Sequence, residues 1–435
     1  MARGFLFLGF LSGVTAFRVG LSAPFSSGSS SLRTLRMMST SVSQVETPAL
    51  LLCMDSFEKN LIRMQKAVDS MKSESGGTLN LRPHAKCHKS SQLANLQLDA
   101  GAVGLCAAKL TELEVLVAGG VNDIILTNQI VHQEKIKRIA KLLAKDANVT
   151  IGVCVDNPVN AKLLSDIVAE ETNDRKLDAY IEVDVGQKRC GVAPGIACAD
   201  LAERIIHDCP SLNLKGIQAY SGWNQHIQTL EARAEQTGVV VAKVQECLVA
   251  MKEKGVMPSD GLVITGGGTG TFTFEGASGV YTEVQPGSYC VMDGEYGKTE
   301  PCDDNRHYEN AMYVLATVVS DSTSHPDWVV VDAGDKAVHG GAVGITVMGP
   351  GFNPATGPGG GSSGLTYRRG GDEHGIIEGP REVLDAMPIG SLVYLIPGHC
   401  DPTINMYSEF TACRVQDQGL VVERLIPIEG RGPGV

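Results

Sequence analysis

Eight short runs rich in β-branched and apolar residues recur before residue 290, separated mostly by stretches with helical spacing. They are TLNLRPHA, AVGLC, NDIILTN, VTIGVCVD, LDAYIEVDV, LKGIQAY, GLVITGG and VYTEVQPG. This alternation constrains the fold more than any other feature. Strand–helix–strand units join parallel strands through right-handed crossovers, so repetition builds one parallel sheet with helices outside it. A doubly wound open sheet is the rival arrangement. The even recurrence and the number eight favour a closed (β/α)8 barrel.

The helical stretches carry their own punctuation. AKLTELEVLVAGG sets Leu110, Leu113, Val117 and Ala118 on one face and stops at Gly119-Gly120. NPVNAKLL opens with Asn157 as cap and Pro158 at the first helical position. After about residue 305 the rhythm changes: AMYVLATVVSDS, DWVVVDAG, AVGITVMG and SLVYLIPG are strands without long helices between them. GPGFNPATGPGGGSSG (349–364) is a Gly/Pro/Ser loop without regular structure. The expected organisation is a leader over 1–45, an α/β barrel over 47–304 and a mainly-β domain over 305–425.

Composition narrows the class. Of 435 residues, 43% are hydrophobic and 20% charged, which suits a globular chain with a sizeable core. A formal net charge of −12 without a basic block argues against nucleic acid or an anionic membrane as main partner. Twelve cysteines without a CxxC pair are expected as free thiols in a reducing compartment. The leader begins MARGFLFLGFLSGVTA, a secretory-type pattern too short for a membrane anchor. A Ser- and Arg-rich stretch from Phe17 follows, with no acidic residue before Glu46. That order resembles the bipartite plastid leaders of algae with complex plastids; a mitochondrial or secretory leader, or a cytoplasmic protein, is the alternative.

Four stretches end strands of the expected barrel, where active sites of that architecture collect. RPHAKCHKS puts Lys86 among His84, His88, Lys89 and Arg82. Cationic neighbours and burial lower a lysine pKa and make an amine able to form a Schiff base near neutral pH, whereas a solvated basic loop is the bland reading. EVDVGQKRCGV places Arg189 in a tight loop after a strand, and GIQAYSGWNQHIQ places Tyr220 at a strand end and His226 near the next helix. ITGGGTGTF, from Thr265 through Gly267, Gly268, Thr269 and Gly270, offers the unobstructed backbone of a phosphate cradle, or else a plain Gly-rich turn. An amine, an arginine, an aromatic ring and a phosphate loop together are what pyridoxal phosphate needs.

With EVQPGSYCVMD, DEHG (372–375) and PGHCDPTIN (397–405), these motifs resemble the D-threonine aldolase/D-serine dehydratase family over residues 47 to about 425. The resemblance implies an alanine-racemase-like barrel with a β domain, and a homodimer whose β domain helps close the partner's barrel mouth. It implies that Lys86 carries pyridoxal phosphate, that Arg189 faces the ring nitrogen, and that Tyr220 lies near the ring. It further implies a divalent ion on His399 and on the residue two later. On an extended segment that spacing puts His399 and Asp401 on one face and Cys400 on the other. The family's zinc dehydratases carry Cys where Asp401 stands. A carboxylate shifts the preference towards Mn²⁺ or Mg²⁺, with Zn²⁺ still compatible.

The expected activity is cleavage of D-β-hydroxy-amino acids to glycine and an aldehyde, with His226 as general base and the metal on the β-hydroxyl. The alternative is a D-serine or D-threo-3-hydroxyaspartate dehydratase giving ammonia and a 2-oxo acid. A non-catalytic pyridoxal-phosphate-binding protein shares the barrel but lacks the β domain and the metal pair.

Overall fold

The computed structural model describes residues 40–258, 261–301, 308–321, 327–347, 364–417 and 419–434. The leader up to residue 39 and nearly all of the Gly-rich loop 349–364 lie outside the described residues.

All eight expected strands form one parallel sheet, in chain order from Asn80–Leu81 and Leu105–Ala107 through Val263–Gly266 to Glu283–Val284. Glu283–Val284 pairs back onto Asn80–Leu81, and a parallel bridge between His84 and Cys106 closes the remaining edge. The sheet is therefore a barrel, and the open-sheet rival is excluded. The helices around it obey the 3.6-residue period: Gln133–Lys145 buries Ile136, Ile139, Ala140 and Leu143 against the strands. Asn157 caps Pro158–Glu171 by accepting from the Val159 amide at 2.8 Å.

Closure is locked by charge. Arg82 is buried inside the barrel and donates to Glu283 at 2.8 and 3.0 Å and to Asp123 at 2.8 and 3.2 Å. These residues come from the first, last and third strands, or the chain just after them. Gly104 leaves room for the guanidinium, since a Cβ there would stand 2.2 Å from an Arg82 nitrogen.

A second, ten-stranded and mainly antiparallel sheet follows the barrel. It contains the four expected strands, here Met312–Ser320, Trp328–Val331, Ala342–Val347 and Leu392–Pro397. It also contains strands with no counterpart in the sequence reading, among them the hairpin Glu409–Gln416/Gly419–Pro427 and Ala49–Cys53. Ala49–Cys53 pairs antiparallel with Met312–Ser320 and parallel with Glu409–Gln416. The described residues thus begin in the second sheet, pass through the helix Met54–Ser75 into the barrel, and return. Phe57, Met64, Met312, Phe410 and Ile426 share one buried cluster at this junction. No helix among the described residues is long and apolar enough to cross a membrane.

Candidate active site

The cations of RPHAKCHKS go to different places. Arg82 closes the barrel. His88 is buried, with Nε2 on Gln97 Oε1 at 3.1 Å and Nδ1 accepting from the Ser90 amide at 3.2 Å. Burial brings its pKa down to about 4. Lys89 donates to Asn405 Oδ1 at 2.7 Å and to the Gly432 carbonyl at 3.2 Å. His84 and Lys86 alone of this set line the cavity. Burial, with Lys86 nearby, holds His84 well below the ordinary histidine range.

Lys86 sits in the 3-10 turn Ala85–Cys87, whose first residue follows His84; the His84 ring accepts from the Lys86 amide at 3.3 Å. Its amine lies 3.7 Å from Asp401 Oδ2, and 40% of the side chain is accessible. Burial works against its ammonium form, but Asp401 and Tyr220 outweigh that, so its pKa is raised. The expectation of a lowered lysine pKa is therefore corrected. The cations that would have lowered it are engaged elsewhere, and a carboxylate has taken their place.

The cavity, about 510 Å³, is lined by residues that follow the strand ends. It joins Lys86, Arg189, Tyr220 and His226 with Gly268, Thr269, His399 and Asp401. Thr265 and Gly267 lie off its wall. Thr265 Oγ1 accepts from Gln285 Nε2 at 2.7 Å, and it is Gln285 that faces the cavity. Gly267 takes φ +71° over the buried side chain of Glu275. His226 lies in the 3-10 turn Trp223–His226, its Nδ1 3.6 Å from Glu295 Oε2.

The glycine loop is less open than its composition suggests. The Gly270 amide donates to Gln225 Oε1 at 2.9 Å, and that of Gly268 faces Thr271 Oγ1 at 3.4 Å. Gln225 also donates to Thr271 Oγ1 at 2.8 Å and to the Ser221 carbonyl at 3.1 Å. A Cβ at Gly268 would stand 2.5 Å from Gln225 Oε1, and one at Gly270 2.7 Å from the Gln225 carbonyl. Glycine is required here by a neighbouring turn as well as by any ligand. Gly268 and Thr269 reach the cavity together with Gly287 and Ser288.

PGHCDPTIN does not run on as a strand. His399 is extended at φ −137°, but Cys400–Ile404 is a short helix, so Asp401 lies in its first turn. The extended-face argument is corrected accordingly: Pro402 is tolerated in a first turn, and there the chain bends. Both His399 and Asp401 still line the cavity. Cys400 turns inwards and is fully buried beside Cys87.

Sequence reasoning missed Asp293, the last residue of EVQPGSYCVMD. Its buried carboxylate takes His399 Nδ1 at 3.2 Å and the Cys400 amide at 2.9 Å, and accepts from the amides of Glu295 and Tyr296 at 3.1 and 3.0 Å. Burial disfavours the His399 imidazolium, but Asp293 outweighs it and pushes the pKa up to about 11. The bond engages Nδ1 and fixes the orientation of the ring.

Residues 54–294 match the family described as Alanine racemase, N-terminal domain, and residues 311–413 the Putative serine dehydratase domain. A D-threonine aldolase of Arthrobacter sp is 39% identical over 394 residues, covering 90% of this chain and 94% of the relative. A 3-hydroxy-D-aspartate aldolase of Paracoccus denitrificans (strain Pd 1222) is 34% identical over 399 residues, with the same coverage. The solved D-threonine aldolase of Filomicrobium marinum superposes with a TM-score of 0.79 at 31% identity, covering 91% of this chain and 98% of that one. The chain belongs to the D-threonine aldolase/D-serine dehydratase family.

As a member of that family it is an enzyme, a lyase of the pyridoxal-phosphate type. Its residues fit the cofactor: an accessible amine at Lys86, with Gly268, Thr269, Gly287, Ser288 and the Arg189 guanidinium on the same cavity. His399, its ring held by the Asp293 carboxylate, and the Asp401 carboxylate line the same cavity, donor types that suit a divalent cation.

Proposed function

We propose that this lyase is a D-specific β-hydroxy-amino-acid aldolase, which splits D-threonine-like substrates into glycine and an aldehyde. The observation that carries the reading is the place of Asp401, a carboxylate two residues from His399, on the cavity wall and 3.7 Å from the Lys86 amine.

Lys86 would hold the cofactor's aldehyde, the Gly268–Thr269 and Gly287–Ser288 segments its phosphate, and Arg189 would face its ring nitrogen. Bound there, pyridoxal phosphate supplies an electron sink for the breaking Cα–Cβ bond. A divalent cation on His399 and Asp401, Mn²⁺ or Mg²⁺ by the hardness of the carboxylate, supplies Lewis acidity towards the β-hydroxyl. His226 accepts the hydroxyl proton, and Glu295 beside Nδ1 steadies its ring. Asp293 keeps the His399 ring in one orientation. Dehydration would use the same groups in another order, with the Lys86 amine removing the α-proton. By the same resemblance the working unit is a homodimer, and the composition of residues 1–45 addresses it to a plastid.

Chelation tests the assignment of roles. It should stop glycine formation from D-threonine, with recovery on Mn²⁺, while the visible absorbance of the bound cofactor persists. Loss of that absorbance on chelation would contradict a cation that acts on the substrate alone.

A further inference from the structure

Behind the cavity wall the sulfurs of Cys87 and Cys400 stand 3.8 Å apart, and Cys400 Sγ lies 3.4 Å from Asp401 Oδ1. Ligand atoms of all three residues fall within 4.8 Å of one another. Both thiols are fully buried, and neither is in a disulfide. A tetrahedral zinc ion with bonds of ~2.3 Å to sulfur holds two sulfurs about 3.8 Å apart. With an oxygen at ~2.0 Å it holds sulfur and oxygen about 3.5 Å apart. The two separations already stand at the values such an ion needs. A chain of S–H contacts could produce the same distances, but it implies no affinity for a metal.

We propose that Cys87, Cys400 and Asp401 form a zinc site, separate from the His399 position and sharing Asp401 with it. The proposal goes beyond the aldolase reading, and only its competition with Mn²⁺ rests on the metal position of that reading. The backbone favours a preformed site. Cys87 is fixed in the turn Ala85–Cys87 and Cys400 in the first turn of Cys400–Ile404. Thiolates select zinc over Mn²⁺ and Mg²⁺, so the two positions differ in the ion they take. On binding, each thiol gives its proton to solvent, and a water from the cavity completes the fourth position.

The two oxygens of Asp401 divide the consequence. Oδ1 faces the thiols, and Oδ2 faces Lys86. Zinc on Oδ1 leaves the carboxylate only Oδ2 for the cavity, so excess zinc competes with Mn²⁺ for Asp401.

X-ray absorption on the chelator-treated full-length protein with one equivalent of Zn²⁺ tests the site. The expected spectrum has sulfur neighbours at ~2.3 Å. Cys87→Ser and Cys400→Ser should each weaken zinc binding at least tenfold and reduce the sulfur signal. Both variants should still bind Mn²⁺ by electron paramagnetic resonance, which shows that the fold and the His399 position are intact. Nitrogen and oxygen neighbours alone in the wild type would overturn the proposal. So would a sulfur signal unchanged in both variants.

Discussion

The Lys86 amine and the Asp401 carboxylate form an ion pair at 3.7 Å, joining the turn after the first barrel strand to a helix that begins more than 300 residues later. The residue that would carry the metal therefore bears on the charge of the residue that would carry the cofactor. Asp401 raises the Lys86 pKa, and only the neutral amine attacks an aldehyde. In Asp401→Asn the opposing carboxylate is gone, so capture of pyridoxal phosphate by cofactor-free protein should rise with pH at a lower pH than in the wild type. Metal-dependent turnover should fall on the order of 10²-fold or more, beyond the loss typical of outer-shell changes. An unshifted capture profile would contradict the coupling.

Asp293 holds the ring of His399, the proposed metal ligand. Asp293→Ala should weaken Mn²⁺ binding on the order of 10- to 100-fold, because the ring loses the bond that orients it. Cofactor absorbance should be unchanged. Titration of Mn²⁺ by electron paramagnetic resonance measures the effect, and an unchanged affinity would remove Asp293 from the site.

Gln225 ties the glycine loop to the turn that carries His226. Gly268→Ala should displace the Gln225 side chain and weaken pyridoxal phosphate binding about tenfold or more, with secondary structure intact. Gln225→Ala in the same chain should restore part of the loss, since it makes room for the new methyl. Fluorescence titration of the cofactor on all four proteins gives the interaction directly. Strict additivity would contradict a clash between these two positions.

His88 makes stability depend on pH in a defined window. Its folded pKa of about 4 lies below the unfolded value, so the unfolded chain binds a proton that the folded chain refuses. The neutral ring contributes fully above ~6.5, and that contribution is lost as pH falls towards 4, by about 3 kcal/mol in all. Urea unfolding between pH 7 and pH 4.5 should show a shallower decline in His88→Asn than in the wild type. Parallel declines would place the titration elsewhere.

The barrel was legible because each strand and helix announces itself locally, through periodicity and capping residues such as Asn157. Ala49–Cys53 was not, because ALLLC is a short apolar run without alternation that leads straight into a helix. The motif RPHAKCHKS drew attention to a lysine that lines the cavity, for partly the wrong reason. Its charges looked like a cluster because they are close in sequence, yet Arg82 answers to Glu283, and Lys89 to Asn405. The role of Asp293 was hidden in the same way, since its partner His399 lies 106 positions away. Pairs of that kind exist only once the chain has folded.

The central claim is the bond that breaks, and products from D-threonine decide it. The aldolase account predicts glycine and acetaldehyde in equal amounts, dependent on Lys86, His226 and the divalent cation. Ammonia and 2-oxobutanoate, without glycine, would contradict it and make the enzyme a dehydratase on the same fold.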